Sequence, residues 1–240
     1  MMYGYGNSMF LFNNGIIATP ASNPLWNSLY AVYKAESNAD DSLGVYDGTA
    51  QGGLTYGTGV DGNAFVSNGT NAYVALPNNT FDSLTGDFSV SANVYLTSIP
   101  SSPPMCVLTS MRRDSGNYYG FAIYIQNGLA WLQISQGGTT NEVNLKAFGY
   151  PLTFGSWYNL IFTHSSSGSA IYINNVLRAS NSSSVNAVFH PTLNYCSIGA
   201  QQQTPSYQYW LPNGSKIDEL YVWNREITSD ERVELQTTYY

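Results

Sequence analysis

The stretch NYYGFAIYIQNGLAWLQIS, residues 117–135, carries the strongest local signal in the chain. Two alternating runs flank Asn127-Gly128, a dipeptide that accepts the positive φ angles of a type I′ turn, so the segment is a two-residue β-hairpin. Counting outward from the turn pairs Gln126 with Leu129, Ile125 with Ala130, Tyr124 with Trp131, Ile123 with Leu132, Ala122 with Gln133 and Phe121 with Ile134. Side chains alternate across a strand, so Phe121, Ile123, Ile125, Ala130, Leu132 and Ile134 share a core face. Tyr124, Trp131, Gln126 and Gln133 share the opposite one, an aromatic pair ringed by amides.

The rest of the chain has the same texture. Of 240 residues only 10% are charged, while 20 are Tyr and 22 are Gly, a composition that favours strands joined by polar turns over amphipathic helices. That length is compatible with one large β domain. The formal net charge is −7, and among the eight Lys and Arg only Arg112 and Arg113 are adjacent, so no basic stripe exists to meet phosphates and nucleic acid is excluded as a partner. Apolar runs such as Met9 to Phe12 fall far short of the roughly 20 residues that span a bilayer, which excludes insertion by a helix. The N-terminal stretch has no Lys or Arg before Lys34 and no sustained apolar core, so it does not read as a secretory signal, and Met1-Met2 reads as an intact start. Cys106 and Cys196 lie in apolar strand-like runs and are expected to be buried free thiols.

Residues 1–27 lack any sustained period and contain Pro20 and Pro24; they are expected to form an N-terminal arm that docks onto other assembly proteins, with the domain occupying residues 28–240. In GDFSVSANVYL (86–96), Phe88, Val90, Ala92, Val94 and Leu96 fall on one face opposite polar residues and Tyr95, predicting a half-buried strand. In SWYNLIFTH (156–164) neither face is polar, predicting a strand covered on both sides or placed centrally. SAIYINNVLRAS (169–180) is a second hairpin with Asn174-Asn175 at its turn. After the last strand, Thr228 and Glu231 have capping-box spacing, and Asp230 and Glu231 suit the positive end of a short closing helix.

In order, LYAVYKAESNADDSLGVYDGTAQGG (29–53), GVDGNAFVSNGTNAYVALPN (59–78), GDFSVSANVYL (86–96), GSWYNLIFTHSSSGSAIYINNVLRAS (155–180), SIGA (197–200) and GSKIDELYVWNREITSDE (214–231) resemble the laminin G-like domains of the concanavalin A-like superfamily. The resemblance implies an all-β fold: a two-sheet antiparallel jelly-roll sandwich with a short C-terminal helix. Two departures stand out, Asn93 where such domains often carry Trp, and Asn175 where they carry Gly. Superfamily members that cleave glycans hold paired acids at alternate strand positions. Here Asp218 and Glu219 are adjacent, which on a regular strand sends them to opposite faces, Glu219 with Ile217, Tyr221 and Trp223, and Asp218 with Leu220 and Val222. Neither His164 nor His190 belongs to a recognisable Ser/His/Asp set, so no enzyme is expected.

Three candidate sites follow. Tyr124, Trp131, Gln126 and Gln133 could stack and hydrogen-bond a sugar, or pack under a neighbouring loop or a second copy of the chain. The loop 199–214, with Gln202, Tyr207, Tyr209 and Trp210, has the length and aromatic content of a recognition loop. Asn38, Asp40, Asp41 and Asp47 offer hard oxygens of the kind Ca²⁺ gathers about six to eight of, and the resemblance supports Ca²⁺ near this loop, with Asp218 as a further ligand; ordinary turn chemistry is the other account of those residues. The expectation is a non-enzymatic structural or adhesion protein, a bacteriophage virion component (decoration, head-fibre or tail-associated) displaying a carbohydrate-binding domain. The alternative is a secreted or cell-surface carbohydrate-binding module. Either places the chain on a virion surface or outside the cell, with a surface glycan as partner.

Overall fold

The hairpin occurs in the computed structural model in the register its turn dictates, from Gln126 opposite Leu129 to Phe121 opposite Ile134 and on to Tyr119 opposite Gln136. Asn127 and Gly128 take φ values of 52° and 75°, as a type I′ turn requires. The structure describes residues 24–114, 116–140, 143–203 and 206–239, with the side chains of 202, 203, 206, 207 and 239 excepted.

Within these residues the strands run β1 (Leu29–Tyr33), β2 (Thr49–Gln51), β3 (Thr55–Thr58), β4 (Asn63–Val66), β5 (Tyr73–Ala75), β6 (Phe88–Tyr95), β7 (Met105–Asp114), β8 (Asn117–Gln126), β9 (Leu129–Gln136) and β10 (Val143–Lys146). They continue with β11 (Trp157–Ser165), β12 (Gly168–Ile173), β13 (Val176–Asn181), β14 (Cys196–Ile198), β15 (Gln201–Gln203), β16 (Ser206–Gln208) and β17 (Lys216–Trp223), and the helix α1 (Ser229–Tyr239) follows. One antiparallel sheet has the order β13-β12-β11-β6-β17-β4-β3, with β1 also paired to β17; the other has the order β10-β9-β8-β7-β14-β5-β2. This is the two-sheet jelly-roll sandwich that the resemblance implied.

The core lies between the sheets. Phe88 of one and Phe121 of the other stack with ring centroids 4.8 Å apart, and Phe81 tilts against Phe121 at 5.8 Å; such pairs contribute about 0.5–1.5 kcal/mol beyond the area they bury. Ile123, Ile125, Leu132 and Ile134 face this core, while Tyr124 and Ala122 belong to a separate cluster with Cys106 and Met111 on the outer side of the same sheet. Cys106 and Cys196 are both buried and free.

Two expectations change. Strand β6 is buried on both faces, because Ser89, Ser91 and Asn93 are covered as fully as its apolar residues. Their polar groups are met from neighbouring segments: the Asn159 amide donates to Ser91 Oγ at 3.0 Å and Asn93 Oδ1 at 3.1 Å, and Ser89 Oγ donates to the Arg225 carbonyl at 2.9 Å. Asn93 is thus a member of a buried polar chain.

Strand β17 does not alternate regularly. Its register against β6 shifts between Asp218 and Tyr221, and Glu219 takes φ 45°. This bulge puts Ile217, Leu220 and Val222 in the main core and Tyr221 and Trp223 in the outer cluster, so Ile217 does not share a face with Tyr221 and Trp223.

The loop 199–214 contains a two-stranded hairpin of its own, β15 with β16. The arm expected over 1–27 lies outside the described residues up to residue 23, but Pro24–Trp26 forms a turn that packs on the domain. Leu25 is fully buried with Trp223, Tyr221, Ile227 and Leu235, and the Trp223 indole N–H donates to its carbonyl at 2.8 Å. That turn and α1 together cover the outer face of the β6–β17 region. The helix begins at the expected capping box: Glu231 N–H donates to Thr228 Oγ1 at 3.3 Å and Thr228 N–H to Glu231 Oε2 at 2.7 Å.

Candidate functional site

Antiparallel pairing of β8 with β9 sets Tyr124 directly opposite Trp131, and pairing of β9 with β10 sets Lys146 on the other side of Trp131. The rings of Tyr124 and Trp131 lie 5.4 Å apart, tilted by 50°. Lys146 Nζ stands 3.8 Å from the Trp131 ring centroid and donates to Gln126 Oε1 at 3.2 Å. The Trp131 indole N–H donates to Asn144 Oδ1 at 2.6 Å, which holds the ring in one orientation.

The face is partly roofed. Tyr209, which follows β16, stands edge-on to Tyr124 at 6.1 Å with an interplanar angle of 84°. Its carbonyl accepts the Cys106 N–H at 2.7 Å, pinning the end of the β15–β16 hairpin to β7. Tyr124 is consequently only 2% exposed and is the floor of a cleft, not an open stacking platform. Burial pushes its phenol well above the ordinary range, and the same cause raises the Cys106 thiol beneath it.

The cleft has a volume of about 150 Å³. Tyr124, Trp131 and Tyr209 supply its rings, Gln133 and Gln201 its amides, and Arg113 a guanidinium at the mouth. Arg113 lies 5.1 Å over the Tyr118 ring, a further wall residue directly opposite it in the β7–β8 register.

Of the residues singled out by sequence, Tyr124, Trp131, Gln133 and Tyr209 converge here. Gln126 is on the same face but is engaged by Lys146 and does not line the cleft. Trp210 lines a neighbouring cavity. The side chains of Gln202 and Tyr207 lie outside the described residues. Tyr118, Arg113 and Gln201 were missed. Tyr118 shares the parity of Tyr124, so continuing the same count along β8 would have placed it on this face.

The acidic residues are arranged for structure. Asp41 accepts backbone N–H groups from Val32 at 2.9 Å and Leu43 at 3.1 Å on Oδ1, and from Val45 at 3.3 Å and Tyr46 at 3.1 Å on Oδ2. Asp47 accepts the Asp41 N–H at 3.1 Å, and Asn38 the Asp40 N–H at 3.4 Å. Asp218 serves another loop, with Oδ2 accepting the N–H groups of Val60 at 2.7 Å and Asp61 at 3.3 Å. A Cβ on Gly59 would stand 2.2 Å from that oxygen, so the loop approaches the carboxylate as only glycine allows. Asp218 thus serves a different loop from Asn38, Asp40, Asp41 and Asp47, and among the described residues no three His, Cys, Asp or Glu side chains cluster to hold a metal.

Burial raises the Asp218 carboxyl to about 7 against these N–H groups, which pull the other way. Glu219 accepts the Tyr221 hydroxyl and lies 3.9 Å from Lys34 Nζ. Both acids are sealed from solvent, Asp218 at 0% and Glu219 at 1% exposure.

Both histidines are engaged by neighbouring polar groups. His164 is buried, with Nδ1 2.8 Å from Ser169 Oγ and Nε2 2.8 Å from the Val185 carbonyl, and burial lowers its pKa. His190 stands between Thr192 Oγ1, 3.0 Å from Nδ1, and Asp114 Oδ2, 3.2 Å from Nε2. This hydroxyl–imidazole–carboxylate series is drawn together by Arg112, whose guanidinium donates to Asp114 Oδ2 at 3.0 Å and to Thr192 Oγ1 at 3.3 Å. It straps the loop after residue 189 to the end of β7, and none of its members lines the cleft.

A family profile described as the concanavalin A-like lectin/glucanases superfamily matches residues 68–231. No curated protein matches the chain. Among solved structures, domain 4 of AbnA, a GH43 extracellular arabinanase from Geobacillus stearothermophilus in complex with arabinotriose, is similar with a TM-score of 0.66 and 21% identity, covering 87% of this chain and 98% of that one. The binding domain of Paraclostridial Mosquitocidal Protein 1 is similar at TM-score 0.68 and 14% identity, covering 90% of this chain and 53% of the other. The binding domain of Botulinum Neurotoxin DC in complex with SialylT is similar at TM-score 0.62 and 15% identity, covering 90% and 52%. This chain thus matches nearly the whole of the arabinanase domain and about half of each toxin domain. At these identities the likeness is one of fold.

Proposed function

Because the chain belongs to the concanavalin A-like lectin/glucanases superfamily, we propose that the outer face of the β8–β9 hairpin binds carbohydrate and that the domain holds glycan without cleaving it. The observation that carries this reading is the cleft in which Trp131, Tyr124 and Tyr209 meet Gln133, Gln201 and Arg113. Sugar rings present apolar C–H faces to aromatic rings and hydroxyls to amides and guanidinium groups, so this mixture matches both surfaces of one ligand. A hydrolase would need two carboxyl groups about 5–5.5 Å or about 6.5–9.5 Å apart at the scissile bond. Among the described residues no carboxylate lines the cleft. The arabinotriose-bound and SialylT-bound structures supply the first glycans to try, and an extracellular or surface location is the setting in which such binding would act.

The test is a glycan screen of the folded chain, containing arabinotriose and sialylated glycans, run beside Trp131→Ala and Gln133→Ala. Each variant is expected to lower affinity about tenfold, equivalent to about 1.4 kcal/mol, with the thermal transition within a few degrees of wild type. Undiminished affinity in both variants removes the cleft from consideration. Added Ca²⁺ or a chelator is expected to leave both binding and Tm unchanged; a shift would place a cation in the 36–48 loop. Assembly into a virion through the N-terminal segment is a separate proposal resting on residues outside those described. Its test is whether a chain lacking residues 1–23, which keeps the packed Pro24–Trp26 turn, still incorporates.

A further inference from the structure

The cleft does not end at Tyr209. The same side chain lines a second cavity of about 500 Å³, bounded by Ser98, Pro100 and Pro103 on one side and by Gln208, Trp210 and Pro212 on the other. Pro104 lines the first cavity and Pro103 the second, so the backbone between these two prolines and the ring of Tyr209 form a common wall. The composition carries over: rings and pyrrolidines for apolar contact, Gln208 and Ser98 for hydroxyls, and again no carboxylate among the described residues. Trp210 adds a donor. Its indole N–H is buried with no acceptor among the described residues, a state that a hydroxyl in the cavity would relieve.

Tyr209 itself is held in the left-handed region at φ 65°, a strained conformation for a non-glycine residue that persists where the surroundings impose it. Here the 2.7 Å hydrogen bond from Cys106 to its carbonyl and its packing on Tyr124 impose it. The constrained residue is the one that separates the two cavities.

We propose that the two cavities are one groove with Tyr209 at its waist, and that it takes an internal stretch of a polysaccharide, at least two successive sugar residues, instead of a single terminal sugar. This rests on the carbohydrate reading above, with Trp131 and Gln133 serving one subsite and Trp210 and Gln208 the next.

The test uses the whole chain. Arabinan, xylan, mannan and chondroitin are cast into native gels, and fragments of one, three and six residues from the polysaccharide that retards the protein most are then titrated by calorimetry. The expected result is affinity rising at least tenfold from the one-residue to the six-residue fragment. Trp210→Ala and Gln208→Ala should flatten that rise while leaving the one-residue affinity unchanged; Gln208 is exposed, so its variant reports even where Trp210→Ala does not fold. Equal affinity for all lengths, or an unflattened rise in a folded Gln208→Ala and Trp210→Ala pair, overturns the groove and leaves the single-sugar reading standing. Retardation by none of the four probes, together with no hit in the glycan screen, removes both.

Discussion

The two outer faces of the sandwich are built from similar residues to opposite ends. On the β6–β17 face, Trp223, Tyr221 and Ile161 are sealed by the Pro24–Trp26 turn and by Leu235 of the helix. On the β8–β9 face, Tyr124, Cys106 and Met111 are likewise covered, but the residue that follows the β15–β16 hairpin, Tyr209, and Trp131 line a cleft that remains there. Trp223 spends its N–H on a backbone carbonyl of its own cover. Trp131 gives its N–H to Asn144 at the exposed margin. An aromatic outer face is therefore not in itself a candidate site; what marks the candidate is incomplete cover with polar groups left at its edge.

Trp223→Ala and Trp131→Ala break this comparison most directly. The first removes a fully buried ring stacked on Tyr221 at 5.8 Å and is expected to lower stability by about 3–5 kcal/mol, read as a shifted urea midpoint, with affinity per folded molecule unchanged. The second should cost about 1 kcal/mol or less, since its ring is only half-buried, and should weaken glycan binding instead. Equal losses of stability would mean that both faces are plain core.

How far the faces were legible in sequence follows from what determines each. The β8–β9 register is local: Asn127-Gly128 fixes the turn, and alternation does the rest, so Tyr124 opposite Trp131 could be read directly. The cover on that face could not. Tyr209 and Gln201 reach the hairpin through a return of the chain across β7, and no period in GAQQQTPSYQYWLPNG encodes where that segment lands. The burial of Ser89, Ser91 and Asn93 was equally hidden, because a polar residue satisfied by a neighbouring strand has the same letter as one satisfied by water. Parity reading failed outright at Glu219, where one extra residue inverts every face that follows.

That bulge gives a second way to sharpen the comparison, through pH. Burial raises Asp218 to about 7 from an unfolded value near 3.8, so its ionised form is disfavoured in the folded state. The linked stability is fully present below that unfolded value and is lost as pH rises through about 7. Thermal scans from pH 4 to 8 should therefore show a falling limb in wild type that flattens in Asp218→Asn, whatever the overall Tm of the variant. A limb retained in the variant would assign it to another group. Glycan binding should not follow this limb, because Asp218 anchors the 59–62 loop and is absent from the cleft.

A second pH effect, modest in size, lies at the seal of the closed face, where Arg225 donates to Glu231 at 2.7 and 2.8 Å and to the Pro24 carbonyl at 2.7 Å. One guanidinium thus joins the helix cap to the covering turn, and its hydrogen bonds hold the Glu231 carboxyl below the usual range. The sign is opposite to that of Asp218: this stability is present above the unfolded glutamate value and is lost as pH falls through the lowered folded one. Arg225 keeps 28% of its side chain exposed, so Glu231→Gln should cost only about 1–2 kcal/mol near neutrality and nothing once the wild-type carboxyl is protonated. The two curves should converge in acid. If they remain parallel to the lowest pH at which both fold, the loss comes from the geometry of the cap and not from its charge, and the closed face is held by packing alone.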